Sequence, residues 1–211
     1  MKTNVTKTNL AVIVFGIIGF FASPSAKGEG GLVGLFVEPA LTYELGSTSI
    51  NYPAPFSNST GSAQGFGLGA RLGIHLAEIF FVGLDARYSM PTFKDSSVAY
   101  EAKSVSTNWG PVVGAQMPIV GLRVWGSYIL GSELNPEKSG TFDIKFQSGT
   151  GYRVGAGMRV TLVSLNLEYQ QIRYGQAGLE QIGPFSSDST FSNVNLESKT
   201  WIASVSFPLE L

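Results

Sequence analysis

The sequence after residue 30 divides into eight stretches in which apolar and polar residues alternate with a period of two. This is the period of a half-buried β-strand, because successive side chains of a strand point to opposite faces. Glycine recurs inside these stretches, and each glycine in a helix interior costs about 1 kcal/mol, so the pattern does not suit helices. The sequence therefore predicts an all-β chain of eight strands.

The two faces of the predicted strands differ in chemistry. The apolar face carries no charge in any stretch, whereas the other face holds glycine, hydroxyls, amides and most of the strand charges. A soluble barrel would show lysine and glutamate on its polar face rather than repeated glycine. The pattern favours an apolar face against lipid and a polar face lining a narrow lumen. The residues predicted to form a lumen polar network are Glu38, Glu44, Arg71, His75, Asp85, Arg87, Arg123, Arg153, Arg159 and Glu168.

The gaps between the stretches alternate in length, as in transmembrane barrels with short periplasmic turns and long external loops. The long gaps fall near 46–62, 90–106, 132–150 and 174–196. Aromatic residues recur at one end of the strands and on the apolar face, which predicts an outer girdle at the level of the lipid headgroups. The girdle residues are Tyr43, Phe66, Tyr88, Trp109, Tyr128, Tyr152, Tyr169 and Trp201. We therefore expect an eight-stranded antiparallel up-and-down transmembrane β-barrel.

Residues 1–26 have the features of a cleaved signal peptide. Lys2 and Lys7 precede an uninterrupted apolar run from Leu10 to Phe21, and small residues follow it. A spanning helix needs about 20 apolar residues, so the run is short for a retained anchor helix. We expect export by this signal, with residues 27–211 forming a barrel domain in the cell outer membrane.

Pro39 and Pro111 fall inside predicted strands, where each removes a ladder hydrogen bond, so we expect a bulge or register break at both. Phe142, Ile144 and Phe146 share the parity of Tyr152. That pattern predicts that the sixth strand extends past the membrane and pairs with an extension of the fifth or seventh strand. A protruding strand edge would recruit an extracellular protein partner by strand addition.

The pattern resembles the small outer-membrane β-barrels of Gram-negative bacteria, of the OmpA-transmembrane and OmpX type. The resemblance covers essentially all of the mature chain and rests on the architecture, with segments such as 34–41 and 204–211. Members of that family usually end in an aromatic residue, whereas this chain ends in Leu211 with Phe207 nearby. The resemblance implies two partners, the outer-membrane lipid bilayer and the barrel-insertion machinery that acts during biogenesis.

Composition removes several classes of function. The chain has 0 cysteines and 1 histidine, so thiolate metal sites and cysteine nucleophiles are excluded. Its net charge of −1 argues against nucleic acid as a partner. His75 falls near the predicted periplasmic end, which is the wrong end for chemistry on outer-leaflet lipids. We expect no enzymatic activity, no cofactor and no metal.

The predicted role is structural or surface interaction, because eight strands leave an interior just wide enough for side chains to fill. Two alternatives stay open. One is a narrow OmpW-like transporter or pore for ions or small hydrophobic solutes. The other is a soluble periplasmic barrel of the lipocalin type.

Overall fold

The computed structural model describes residues 33–51, 58–95, 100–117, 119–138, 142–182, 185–191 and 195–211, so the predicted signal peptide lies outside the described residues. In the described part of the chain no helix is long and apolar enough to cross a membrane. The described strands are β1 (Val33–Asn51), β2 (Ser59–Leu76), β3 (Phe80–Asp95), β4 (Tyr100–Gln116), β5 (Leu122–Ile129), β6 (Gly131–Pro136), β7 (Phe142–Val160), β8 (Val163–Ile182), β9 (Phe185–Phe191), β10 (Asn195–Ser206) and β11 (Leu209–Glu210).

The sheet closes into a ring at β1, which pairs with β2 on one side and with β10 and β11 on the other. All neighbouring strands around the ring are antiparallel. The eleven strands occupy eight positions in the wall, because β5 and β6 share one position and β9, β10 and β11 share the position between β8 and β1. The predicted eight-stranded antiparallel up-and-down barrel is therefore confirmed.

Both prolines predicted to disturb the strands lie at interruptions of the ladders. At Pro39 the partner of β1 changes from β10 to β11 without a change of register, and the amide of Phe207 donates to the carbonyl oxygen of Pro39 at 2.9 Å. Beside Pro111 the partner of β4 changes from β6 to β5, and the register shifts by one residue at Leu130. Each proline, which lacks a backbone N–H, thus lies where the ladder on one side of its strand is interrupted.

The exterior and interior of the barrel carry opposite chemistry. Leu72, Leu84 and Val113 point outward and are 55%, 56% and 59% exposed. Their neighbours Arg71 and Asp85 point inward and are buried. A soluble barrel has the reverse arrangement, with its apolar face inside, so the lipocalin-type alternative is wrong.

The strands continue well into the gaps predicted as long loops. β7 pairs with β8 up to Phe142 and Ile182, and β9 adds to this end of β8. The sixth strand therefore extends and pairs with the seventh as predicted, while its passage beyond the membrane stays a prediction. The parity predicted for Phe146 is wrong, because Phe146 is buried inside the barrel whereas Tyr152 faces outward. Ser148 between them has a φ of 55°, a left-handed conformation that interrupts the alternation of the strand.

Candidate functional site: the filled lumen

Arg71 of β2 lies at the centre of a layer of ion pairs that crosses the lumen. Its guanidinium nitrogens lie 3.6 Å from Glu38, 3.5 Å from Asp85 and 3.3 Å from Glu168. Glu38 on β1 and Asp85 on β3 are the register partners of Arg71 on the neighbouring strands, whereas Glu168 comes from β8, which is not adjacent to β2. The Cζ atom of Arg71 also lies 4.2 Å from the ring centroid of Trp125, within the range of a cation–π contact.

Two further arginines hold the same carboxylates by short, charge-assisted hydrogen bonds. Arg123 binds Glu38 through two parallel bonds, from Nη1 to Oε1 at 2.8 Å and from Nη2 to Oε2 at 2.7 Å. Nη2 of Arg87 donates to both carboxylate oxygens of Glu168 at 2.6 Å. All four side chains are buried. Such pairing offsets the desolvation of both charges, which an isolated buried charge could not do.

Arg153 of β7 completes the layer on the side of the long-loop end, which is the end of the barrel where the long gaps between the predicted strands lie. Its Nη1 donates to Asp85 at 2.7 Å, and its Nε donates to Gln170 at 3.0 Å. Glu44 lies beside this set and accepts a hydrogen bond from Ser89 at 3.1 Å. With Glu44 included, the four arginines of the layer face an equal number of carboxylates.

An aromatic layer lies on the short-turn side of the ion pairs. Phe36 stacks on His75 with ring centroids 4.5 Å apart, and Phe81 packs edge-on against both rings. Trp125 fills the rest of this level. Gly155 makes room for it, because a β-carbon at that position would lie 2.5 Å from the indole ring. Glycine on the inner face thus permits a large aromatic side chain on the neighbouring strand, where the register pairs Gly155 with Trp125.

An apolar cluster fills the lumen on the long-loop side. Its members are Ile50, Ala63, Phe93, Ile129, Leu134, Phe146, Ile172, Tyr174, Ala177 and Leu196. The hydroxyl of Tyr174 shares a hydrogen bond with Ser132 at 2.9 Å, and burial raises the pKa of Tyr174 to about 12, so the phenol stays protonated. A cavity beside the ion pairs has a volume of about 10 Å³, the space of a single water molecule. Three layers of side chains therefore fill the described lumen.

Most residues of the predicted polar network meet in the ion-pair layer, and two lie elsewhere. His75 belongs to the aromatic layer. Arg159 lies at the short-turn mouth of the barrel, where its Nη1 is 3.1 Å from Glu210 of β11. The sequence did not lead us to predict that Phe36 and Phe81 fill the lumen. The available signal was a large apolar residue at an inward position of an otherwise polar face.

The residues predicted to form the girdle lie on the outside of the barrel towards the long-loop end. The ring of Tyr43 lies 4.8 Å from that of Phe66, and the ring of Tyr169 lies 5.2 Å from that of Trp201. The remaining members also face outward. They are Tyr88, Trp109, Tyr128 and Tyr152. Amphipathic rings at one level of a barrel wall suit a membrane–water boundary.

Comparison with known protein families matches residues 13–207 to the outer membrane protein β-barrel domain. Comparison with curated protein sequences finds no match.

Several solved structures share this fold. The outer membrane protein OprG from Pseudomonas aeruginosa is 9% identical over 85% of this chain and 98% of its own, with a TM-score of 0.52. AlkL, an outer membrane protein solved in DMPC lipid bilayers, is 11% identical over 90% of this chain and 96% of its own, with a TM-score of 0.50. Neisserial surface protein A is 15% identical over 82% of this chain and 96% of its own, with a TM-score of 0.47. At these identities the likeness to OprG and AlkL shows the fold alone.

Proposed function

This chain belongs to the outer membrane protein β-barrel domain family, and we propose that it is a structural or surface-interaction barrel whose lumen is closed. The observation that carries the proposal is the ion-pair layer centred on Arg71. An ion crossing the barrel would have to separate buried charge pairs, and each separation leaves an uncompensated charge in a poorly hydrated interior. The cavity beside the layer has the volume of one water molecule and provides no path around it.

Planar-bilayer recording tests the closed lumen. We expect the purified full-length protein to insert without producing discrete conductance steps, because the ion pairs block the lumen. Folding of the same preparation is checked by heat-modifiable gel migration, which distinguishes a folded barrel from an unfolded chain. Reproducible steps from folded protein would contradict the proposal and support the transporter.

A narrow transporter for small hydrophobic solutes is the second candidate. The apolar cluster in the long-loop half favours it, because Ile50, Phe93 and Phe146 would form an apolar lining if that half opened. Purified protein of a transporter would carry apolar cargo, detectable by solvent extraction and mass spectrometry. The ion-pair layer blocks onward passage through the lumen, which is why we favour the closed barrel.

The long-loop end is proposed to face the cell exterior, after export directed by residues 1–26. Trypsin treatment of intact cells tests this orientation at Lys138 and Lys145. Lys138 is exposed beyond the end of β6, whereas Nζ of Lys145 on β7 lies 3.0 Å from Glu133 and its side chain is 20% exposed. We expect cleavage after Lys138 and protection of Lys145.

The other outcomes of trypsin treatment are equally informative. Rapid cleavage at both lysines would contradict a rigid sheet beyond the membrane. Cleavage of the protein only after the cells are permeabilised would place this end of the barrel in the periplasm.

Strand addition at the protruding sheet of β7, β8 and β9 remains our proposal for an extracellular protein partner. We propose no catalytic role. Support comes from His75, the one histidine of the sequence, which is held between Phe36 and Phe81 inside the barrel. That position is at the short-turn end, away from any external substrate.

A further inference from the structure

An open groove runs along the outside of the barrel at the level of the girdle. Its volume is about 460 Å³, and its lining includes Leu45, Ser47, Gln64, Tyr169, Lys199 and Trp201. The strand register puts Leu45 beside Trp201 and Ser47 beside Lys199. One end of the groove is therefore apolar and aromatic, and the end nearer the long loops is polar and cationic.

The cationic end is organised by hydrogen bonds on the outer wall. The carboxylate of Glu197 lies 3.2 Å from Nζ of Lys199 and 3.7 Å from Nε of Arg173. Gln171 donates to the same carboxylate at 2.6 Å, and the hydroxyl of Tyr152 donates to Gln171 at 2.9 Å. Two cations share one carboxylate, so this cluster carries an excess positive charge. The side chains of both cations are at least half exposed and can reach a further anion.

We propose that this groove binds the headgroup of a phosphorylated glycolipid from the outer leaflet of the membrane. Lys199 in the lining of the groove, and Arg173 beside it on the same carboxylate, supply the charge that a phosphate requires. Ser47 and Gln64 offer a hydroxyl and an amide to sugar hydroxyls. The rings of Tyr169 and Trp201 form an apolar platform beneath a sugar ring, at the depth where a headgroup meets its acyl chains. The inference rests on the proposed orientation, which directs this end of the barrel to the outer leaflet.

Native mass spectrometry of the full-length protein provides the test. Folded protein is equilibrated with phosphatidylcholine vesicles that contain lipid A with both of its phosphates, and the lipid retained on each barrel is measured. We expect Lys199→Gln to weaken retention about fivefold, the effect of removing one cation near an anionic surface. Arg173→Gln should act in the same direction and serves as a second variant if Lys199→Gln does not fold.

Lys103→Gln is the matched control, because Lys103 is exposed on β4 at the opposite wall of the barrel. It should leave retention unchanged. Equal loss with Lys103→Gln, or equal retention of lipid A lacking its phosphates, would overturn the site. Neither result would change the outcome of the conductance or trypsin experiments. Failure of the glycolipid proposal is therefore distinguishable from failure of the proposed closed lumen and orientation.

Discussion

Glu168→Ala should lower the free energy of unfolding by about 3–5 kcal/mol, the effect of removing one partner from a buried ion pair. Glu168 accepts two bonds of 2.6 Å from Arg87 and lies 3.3 Å from Arg71. The indole of Trp125 also donates to Glu168 at 3.3 Å. Loss of the Glu168 carboxylate leaves the guanidinium groups of Arg87 and Arg71 without one of their ion-pair partners in the closed lumen. Urea unfolding in lipid vesicles, followed by fluorescence, measures the change.

The matched control is Glu101→Ala on the outside of the barrel. Glu101 pairs with Lys94 at 3.0 Å, and its side chain is 59% exposed. A solvated pair of this kind is worth about 0–1 kcal/mol, so this variant should unfold almost as the parent does. Equal, small effects of the two variants would mean that water enters the lumen and screens the ion pairs there.

Val113→Arg should destabilise the barrel by about 2–4 kcal/mol if the residue lies at the bilayer midplane. Val113 faces outward from β4 and is 59% exposed, so an arginine there enters hydrocarbon rather than the lumen. The inward neighbour Val112 is completely buried, which shows that the two faces are distinct. Unfolding from vesicles measures the effect.

Val105→Arg tests the depth dependence on the same face of the same strand. Val105 precedes Trp109 towards the long-loop end and pairs with Asn135 of β6. A charge near the interface costs about 0–1 kcal/mol, so this variant should fold nearly normally. A neutral effect of Val113→Arg would contradict the assignment of this face to lipid.

The strands and their faces were predictable because a period of two survives in a single sequence. Leu84 and Asp85 are neighbours with opposite surroundings, and alternation alone assigns them correctly. Which charges meet was not predictable, because that depends on the stagger between strands around the closed ring. Arg71 and Glu168, for example, are separated by 97 residues along the chain and by two intervening strands of the wall, and yet lie in contact.

Departures from strict alternation account for the features that the sequence concealed. Ser148 adopts a positive φ and Phe146 before it faces the lumen, and such an irregularity has no distinct signature in this polar segment. The long gaps were predicted as loops because they are polar, but their strands stay paired around the apolar cluster that contains Ile50 and Leu196. Burial on the inner side stabilises strands whose outer side faces water.

Fluorescence quenching of the native tryptophans tests the central claim most directly, because Trp109 and Trp201 face outward whereas Trp125 is 5% exposed inside the lumen. Two single-tryptophan proteins are compared in vesicles, one retaining Trp125 and the other Trp109, with phenylalanine at the remaining positions. A closed barrel predicts that brominated phosphatidylcholine quenches Trp109, and that Trp125 resists both this lipid and aqueous iodide. Quenching of Trp125 by iodide would show an open, water-filled lumen and contradict the account.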